Sequence, residues 1–188
     1  FVFGKMMRRE QLELYTKRIS SFIAKLKGEM ILVDHLEMEA QVAVTKDPVP
    51  FAKRLDQTYK SIKVGDVWGE AWDSGWFHIK GTIPKKWKGQ CVVANINVNG
   101  EGLIFSEAGV PLYGLTNGSV FQNHYSKDVY RLHDACEGGE SVELWLEAAG
   151  NHLFGANGTF CSPTLVELHH GKYLPDVIKM HLCLFNVD

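Results

Sequence analysis

Trp68, Trp72 and Trp76 recur every fourth residue inside the densest chemical signal of the chain, Trp68-Gly69-Glu70-Ala71-Trp72-Asp73-Ser74-Gly75-Trp76-Phe77. Aromatic planes beside carboxylates and amides are what a sugar-binding surface uses, because an indole can stack on the apolar C–H face of a pyranose. On that reading Trp68, Trp72 or Trp76 is the platform, and Glu101 or Asn151 is its polar partner. The competing and favoured reading is that the three tryptophans close a core or an interdomain seam, since Trp is highly buried on average and its N–H finds a local acceptor. Spacing by four imitates a helical stripe, but Gly69 and the Asp73-Ser74-Gly75 turn argue against a helix.

Catalytic and metal templates find no match. The stretch from Gly150 to Gly155 lacks the G-x-G-x-x-G arrangement that leads phosphate onto a helix N-terminus, and G-x-S-x-G is absent. No H-E-x-x-H places two imidazoles on one helix face; His169 and His170 are adjacent and would point to opposite sides of a strand. His133-Asp134 reads as a turn contact, and no metal is expected in this segment. Glycoside hydrolysis needs two converging carboxyl groups. Glu70, Glu101, Glu107, Glu143 and Glu147 are available in or beside strands. Glu143 and Glu147 share one strand face, which alternation with Leu144 and Leu146 makes an outer, solvated one.

The elements that must position these residues change period along the chain. Leu12, Tyr15, Ile19, Phe22, Ile23 and Leu26 predict an amphipathic helix over 6–27, ended by Gly28 after Lys25 and Lys27. Its apolar stripe must dock, because an isolated helix of this length is marginal in water. From Leu36 to Val44 apolar residues alternate as in a half-buried strand, and Asp47-Pro48-Val49-Pro50 breaks it. Short runs at 76–83, 91–98, 102–105, 129–132, 142–148 and 177–187 follow, separated by Gly, Asn and Asp turn signals. The expected fold is therefore all-β, an antiparallel sandwich (29–188) preceded by a helical segment (1–28).

Composition agrees with one soluble domain. The 188 residues carry a formal charge of -2, with 45% hydrophobic and 22% charged residues. That balance leaves no basic footprint for nucleic acid and no polybasic membrane surface. No signal peptide is read at the start, and no stretch reaches the ~20 apolar residues of a spanning helix. Cys91, Cys136, Cys161 and Cys183 form no C-x-x-C pair and are expected to be reduced and buried. A cytoplasmic location follows from these features.

Three segments occur together: VGDVWGEAWDSGWFHIKGTIPKKWKG, GEGLIFSEAGVPLYGLTNG and VELWLEAAGNHLFGANG. In this order they resemble the N-terminal β-sandwich of the cytosolic and bacterial type of α-mannosidase, glycoside hydrolase family 38. The W-F-x-x-x-x-x-I-P-x-x-W pattern is also similar to galactose-binding-type jelly rolls, so a jelly roll is expected. The resemblance implies a retaining enzyme of several domains. Its divalent metal, usually zinc, and its Asp nucleophile would lie in a following α/β barrel. No residue here matches that catalytic motif, so no catalytic or metal residue is carried over and no cofactor is expected in this chain. The implied role is an accessory fragment whose partner is the catalytic domain of the same polypeptide. The alternative is a module that binds mannose-containing oligosaccharide. The chain departs from the family at Asp73-Ser74-Gly75 and after Asn157-Gly158, where Thr159 to Pro163 and His169-His170-Gly171 differ.

Overall fold

The computed structural model describes residues 9–26, 32–70, 72–98, 101–116, 127–150 and 179–185. Among the described residues a helix, α1 (Arg9–Lys25), precedes ten strands: β1 (Leu32–Glu37), β2 (Glu39–Thr45), β3 (Lys60–Ile62), β4 (Ser74–Thr82), β5 (Cys91–Asn97), β6 (Glu101–Phe105), β7 (Pro111–Leu115), β8 (Val129–His133), β9 (Ser141–Ala149) and β10 (Lys179–Phe185). They form two antiparallel sheets, a four-stranded one in the order β1-β10-β5-β8 and a six-stranded one in the order β3-β2-β4-β9-β6-β7. The sandwich and its leading helix are thus as the sequence predicts.

The core lies between the sheets. Phe77 and Ile79 on β4 face Leu146 and Leu144 on β9 in register, and Ile104 on β6 lies opposite Leu146. These five join Val92, Ala94 and Ile96 of β5 in one buried cluster. Each such apolar side chain contributes about 1.5–3 kcal/mol on burial.

The expected strand from Leu36 to Val44 divides at Met38. β1 pairs with β10 in one sheet and β2 pairs with β3 and β4 in the other. Met38 is buried at the crossing between sheets, while Leu36 and Val44 at the two ends are exposed. Two short strands escape the sequence pattern, β3 and β7. Both lie at edges of the six-stranded sheet, and β7 opens with Pro111, which has no N–H for a ladder.

The outer face of the six-stranded sheet is not simply solvated. The proline break at 48–50 leads a 3-10 helix, Phe51–Asp56, across it. Phe51 packs edge-on against Trp76 at 5.7 Å and beside Phe105 at 5.4 Å. The Arg54 guanidinium lies over the Phe51 ring at 3.6 Å and over Trp145 at 4.5 Å. His78 stacks on Trp145 with 3.9 Å between ring centres. This second aromatic layer makes strand β4 apolar on both faces near its start.

α1 differs from expectation in its surroundings. Leu12, Tyr15, Ile19, Phe22 and Ile23 all remain exposed, with Phe22 at 60%, so the stripe has no cover among the described residues. Cys91 and Cys136 are free thiols and buried; Cys161 and the side chain of Cys183 lie outside the described residues.

Because Leu146 is fully buried between the sheets, Leu146→Ala should lower unfolding free energy by about 2–5 kcal/mol. Lys80→Ala, on the exposed side of β4, should change it by less than about 0.5 kcal/mol. Urea titrations of the two variants check the contrast.

Candidate functional site

The register of the six-stranded sheet gathers distant segments at one end. Thr45 of β2 lies opposite Ser74 of β4, Ser74 opposite Ala149 of β9, and Ala149 opposite Glu101 of β6. The turn that precedes β4 therefore meets Lys46, Gly150 and the start of β6.

That turn is fixed by a closed set of hydrogen bonds. The Asp73 N–H donates to the Glu70 carbonyl at 3.1 Å, and the Glu70 N–H donates to Asp73 Oδ2 at 3.0 Å. The Trp72 N–H donates to the Gly150 carbonyl at 2.7 Å, and the Gly150 N–H donates to the Asp73 carbonyl at 2.8 Å. Lys46 Nζ donates to Asp73 Oδ1 at 2.7 Å and to Glu70 Oε2 at 3.2 Å. The Asp73 carboxylate is buried, while Lys46 and Glu70 stay open to water. Its hydrogen bond from Lys46, then that from the Glu70 N–H, hold Asp73 below the usual carboxylate range against the opposing effect of burial.

Backbone geometry sets Trp72 apart. Its φ of 72° is the only positive value of a non-glycine among the described residues. Left-handed backbone costs an L-residue about 1–2 kcal/mol, and it persists only where the surroundings over-determine it. Gly150 is required by close approach, since a Cβ there would lie 2.8 Å from the Glu70 carbonyl oxygen.

The three tryptophans of the sequence motif enter three environments. Trp68 is half-buried, donates its indole N–H to the Val98 carbonyl at 2.7 Å and meets Phe77 edge-on. Gly75 makes room for it, because a Cβ would come within 2.8 Å of its ring. Trp76 is 2% exposed and donates to the Val49 carbonyl at 2.8 Å. Trp72 is 47% exposed. Glu101 is exposed at the same end of the sheet, two strands from the turn. Asn151 lies outside the described residues, directly after Gly150. Lys46 and Gly150 carried no signal in the sequence; only the sheet register reveals them.

The carboxylates expected on β9 do not form a hydrolytic pair. Four residues along a strand separate Glu143 and Glu147 by about 13 Å, beyond the ~5–9.5 Å of glycosidase carboxyls. Glu143 binds His78 Nε2 at 2.6 Å, which holds its carboxyl below the ordinary value. Glu147 is pushed up by burial. Glu143 stays exposed on the outer face, whereas Glu147 is half-buried there. Asp134 pairs with Arg131 at 3.0 Å. Among the described residues no three His, Cys, Asp or Glu side chains cluster as a metal site requires; His169 and His170 lie outside them.

Asp73 makes the acid limb of stability predictable. Its folded carboxyl lies below the unfolded value, so its contribution is present above about pH 4 and is lost as pH falls through the folded value. Asp73→Asn should therefore flatten the loss of stability below about pH 4 in urea unfolding measured across pH. Gly150→Ala should cost about 1–3 kcal/mol by forcing the turn off β9. An unchanged unfolding midpoint would show that the turn is not locked there.

Comparison with known proteins places this geometry. Residues 34–173 match the family model described as the jelly roll domain of alpha-mannosidase. The chain is 26% identical over 160 residues to Alpha-mannosidase G of Dictyostelium discoideum, covering 81% of this chain and 14% of that protein. It is 28% identical over 147 residues to Alpha-mannosidase 2C1 of Mus musculus, covering 78% of this chain and 14% of the relative. Against Alpha-mannosidase 2C1 of Homo sapiens identity is 31% over 113 residues, 60% of this chain and 10% of the relative. The alignments thus span at most 14% of the length of these relatives. With its two antiparallel sheets and a family match over most of its length, the chain belongs to the alpha-mannosidase jelly roll domain family.

Proposed function

We propose that this chain is a non-catalytic accessory domain of an α-mannosidase that hydrolyses α-mannosidic linkages, and that it supports the catalytic part of the same polypeptide. The observation that carries the reading is the apolar stripe of α1, which no described residue covers, on a chain whose sheets already enclose a core of their own. Leu12, Tyr15, Ile19 and Phe22 are spaced alternately three and four residues apart, the seam by which one helix packs on another. Burying each of the larger members would contribute about 1.5–3 kcal/mol, enough to hold a domain in place. Any divalent metal the hydrolysis uses belongs, on this reading, to the catalytic part. Residence in the cytoplasm belongs to the same proposal and is supported by two buried free thiols. No described helix is long and apolar enough to cross a membrane.

A second reading, a carbohydrate-binding module, is favoured by one observation: Trp72 presents its indole to solvent from a locked turn.

In a mannosidase carrying this domain, Ile19→Glu combined with Phe22→Glu should lower the thermal midpoint by several degrees. In the 188-residue chain alone the same pair should leave it unchanged, since both side chains are already exposed. Identical melting of parent and variant enzyme would sink the docking role. The purified chain should also leave nitrophenyl α-mannoside intact, and measurable turnover would overturn the non-catalytic assignment.

A further inference from the structure

The four-stranded sheet brings the two ends of the chain together. β1 pairs antiparallel with β10, with His35 opposite Cys183 and Glu37 opposite His181. The pairing is regular at these positions, since its one irregularity falls between Leu32 and Asp34. Directly opposite residues of an antiparallel pair share a face, as do residues two apart along one strand. His35, Glu37, His181 and Cys183 therefore occupy a two-by-two block on one face of the sheet.

β5 identifies the face. On its side of β10, His181 is opposite Asn95 and Cys183 opposite Val93, while Leu182 is opposite Ala94. Ala94 belongs to the cluster between the sheets and Val93 does not, so the block lies on the outer face. Its two flanks differ. Val93 and Asn95 are buried, whereas His35 and Glu37 on the edge strand are exposed. One flank is desolvated and the other gives an ion a way in. Arg131, opposite Val93 on β8, is paired with Asp134 at 3.0 Å, which offsets its charge.

Two imidazoles, a thiol and a carboxylate form a donor set for zinc. Calcium and magnesium take oxygen ligands, whereas thiolate and imidazole select a softer ion. Donors bound at about 2.0–2.3 Å around a tetrahedron stand ~3.5 Å from one another. Opposite positions of an antiparallel pair have Cβ atoms about 4.5–5.5 Å apart and diagonal positions about 7–8 Å, a difference that arms of this length can close. A ligating imidazole uses one ring nitrogen and keeps the other for a hydrogen-bond partner. Short-range spacings such as H-E-x-x-H miss a site of this kind, because its halves lie at opposite ends of the sequence.

We propose that His35, Glu37, His181 and Cys183 hold one zinc ion that clips the edge strand β1 to β10. On binding, the thiol gives its proton to solvent and ligates as thiolate. Together with the Glu37 carboxylate it neutralises the ion. Four protein donors leave no open coordination position, so the ion is structural. β1 has a strand neighbour on one side only, and the metal fastens it where the chain arrives from α1.

The test takes the 188-residue chain, stripped of metal by a chelator, and titrates it with zinc and separately with cobalt(II). Zinc should raise the thermal midpoint by several degrees, since an ion that binds only the folded chain stabilises it. Cobalt(II) should give a thiolate-to-metal charge-transfer band together with the intense visible bands of tetrahedral coordination. Cys183→Ser should abolish the charge-transfer band. His35→Ala should weaken zinc binding roughly a hundredfold. It should leave the midpoint of the metal-free chain unchanged, because His35 is exposed on an edge strand, so the test stands even where Cys183→Ser does not fold. A parent chain whose midpoint ignores zinc overturns the site. So does a cobalt spectrum without a thiolate band, or zinc affinity that survives His35→Ala, since the ion would then sit elsewhere.

Discussion

The pairing of β4 with β9 is the constraint on which the rest of the structure depends. It runs antiparallel from Ser74 opposite Ala149 to Thr82 opposite Ser141. In that register Phe77 and Ile79 meet Leu146 and Leu144 on the core side, while Trp76 and His78 meet Glu147 and Trp145 on the other. A slip of one residue would exchange the two faces along the whole strand, so hydrophobic burial fixes the register strongly. The same register brings Asp73 to Gly150 and so builds the turn that carries Trp72. Core and candidate site are therefore two consequences of one alignment.

The outer layer follows from that pairing as well. With Trp76 and Trp145 turned away from the core, the sheet presents aromatic surface that needs cover, and the segment after the proline break supplies it. Phe51 and Arg54 close over these rings, and the Val49 carbonyl takes the Trp76 indole N–H. A carboxylate on this face is held in one of two ways. Glu143 is anchored by His78, while Glu147 feels burial and titrates higher. Near the start of β4 this face is therefore structural, and its aromatic rings are engaged with one another.

The two proposed roles use different parts of the molecule and do not compete for residues. The α1 stripe is apolar with helix-packing spacing, suited to another protein surface. The Trp72 turn, whose indole is about half exposed, is the part on which the module reading rests. Lys46 and Asp73 tie β2 to that turn, because the buried carboxylate that locks the turn also binds the exposed ammonium.

The sequence by itself determined the sandwich. Alternating apolar residues, separated by Gly and Asn turns, placed β4, β5, β6, β8, β9 and β10 near their observed positions, because burial on one face leaves a period of two in the chain. It also marked the tryptophan motif and the family to which it belongs. It did not separate the fates of Trp68, Trp72 and Trp76, since residue type and spacing are the same for all three. Tertiary structure alone decided that Trp76 lies under Phe51, Trp68 against Phe77, and Trp72 about half exposed at the turn. Lys46 and Gly150 were silent for the same reason. Lys46 is 27 residues from Asp73, and the bond between them exists only because β2, β4 and β9 lie side by side. Local pattern records what each residue prefers; which distant residue it meets is set by strand order and register.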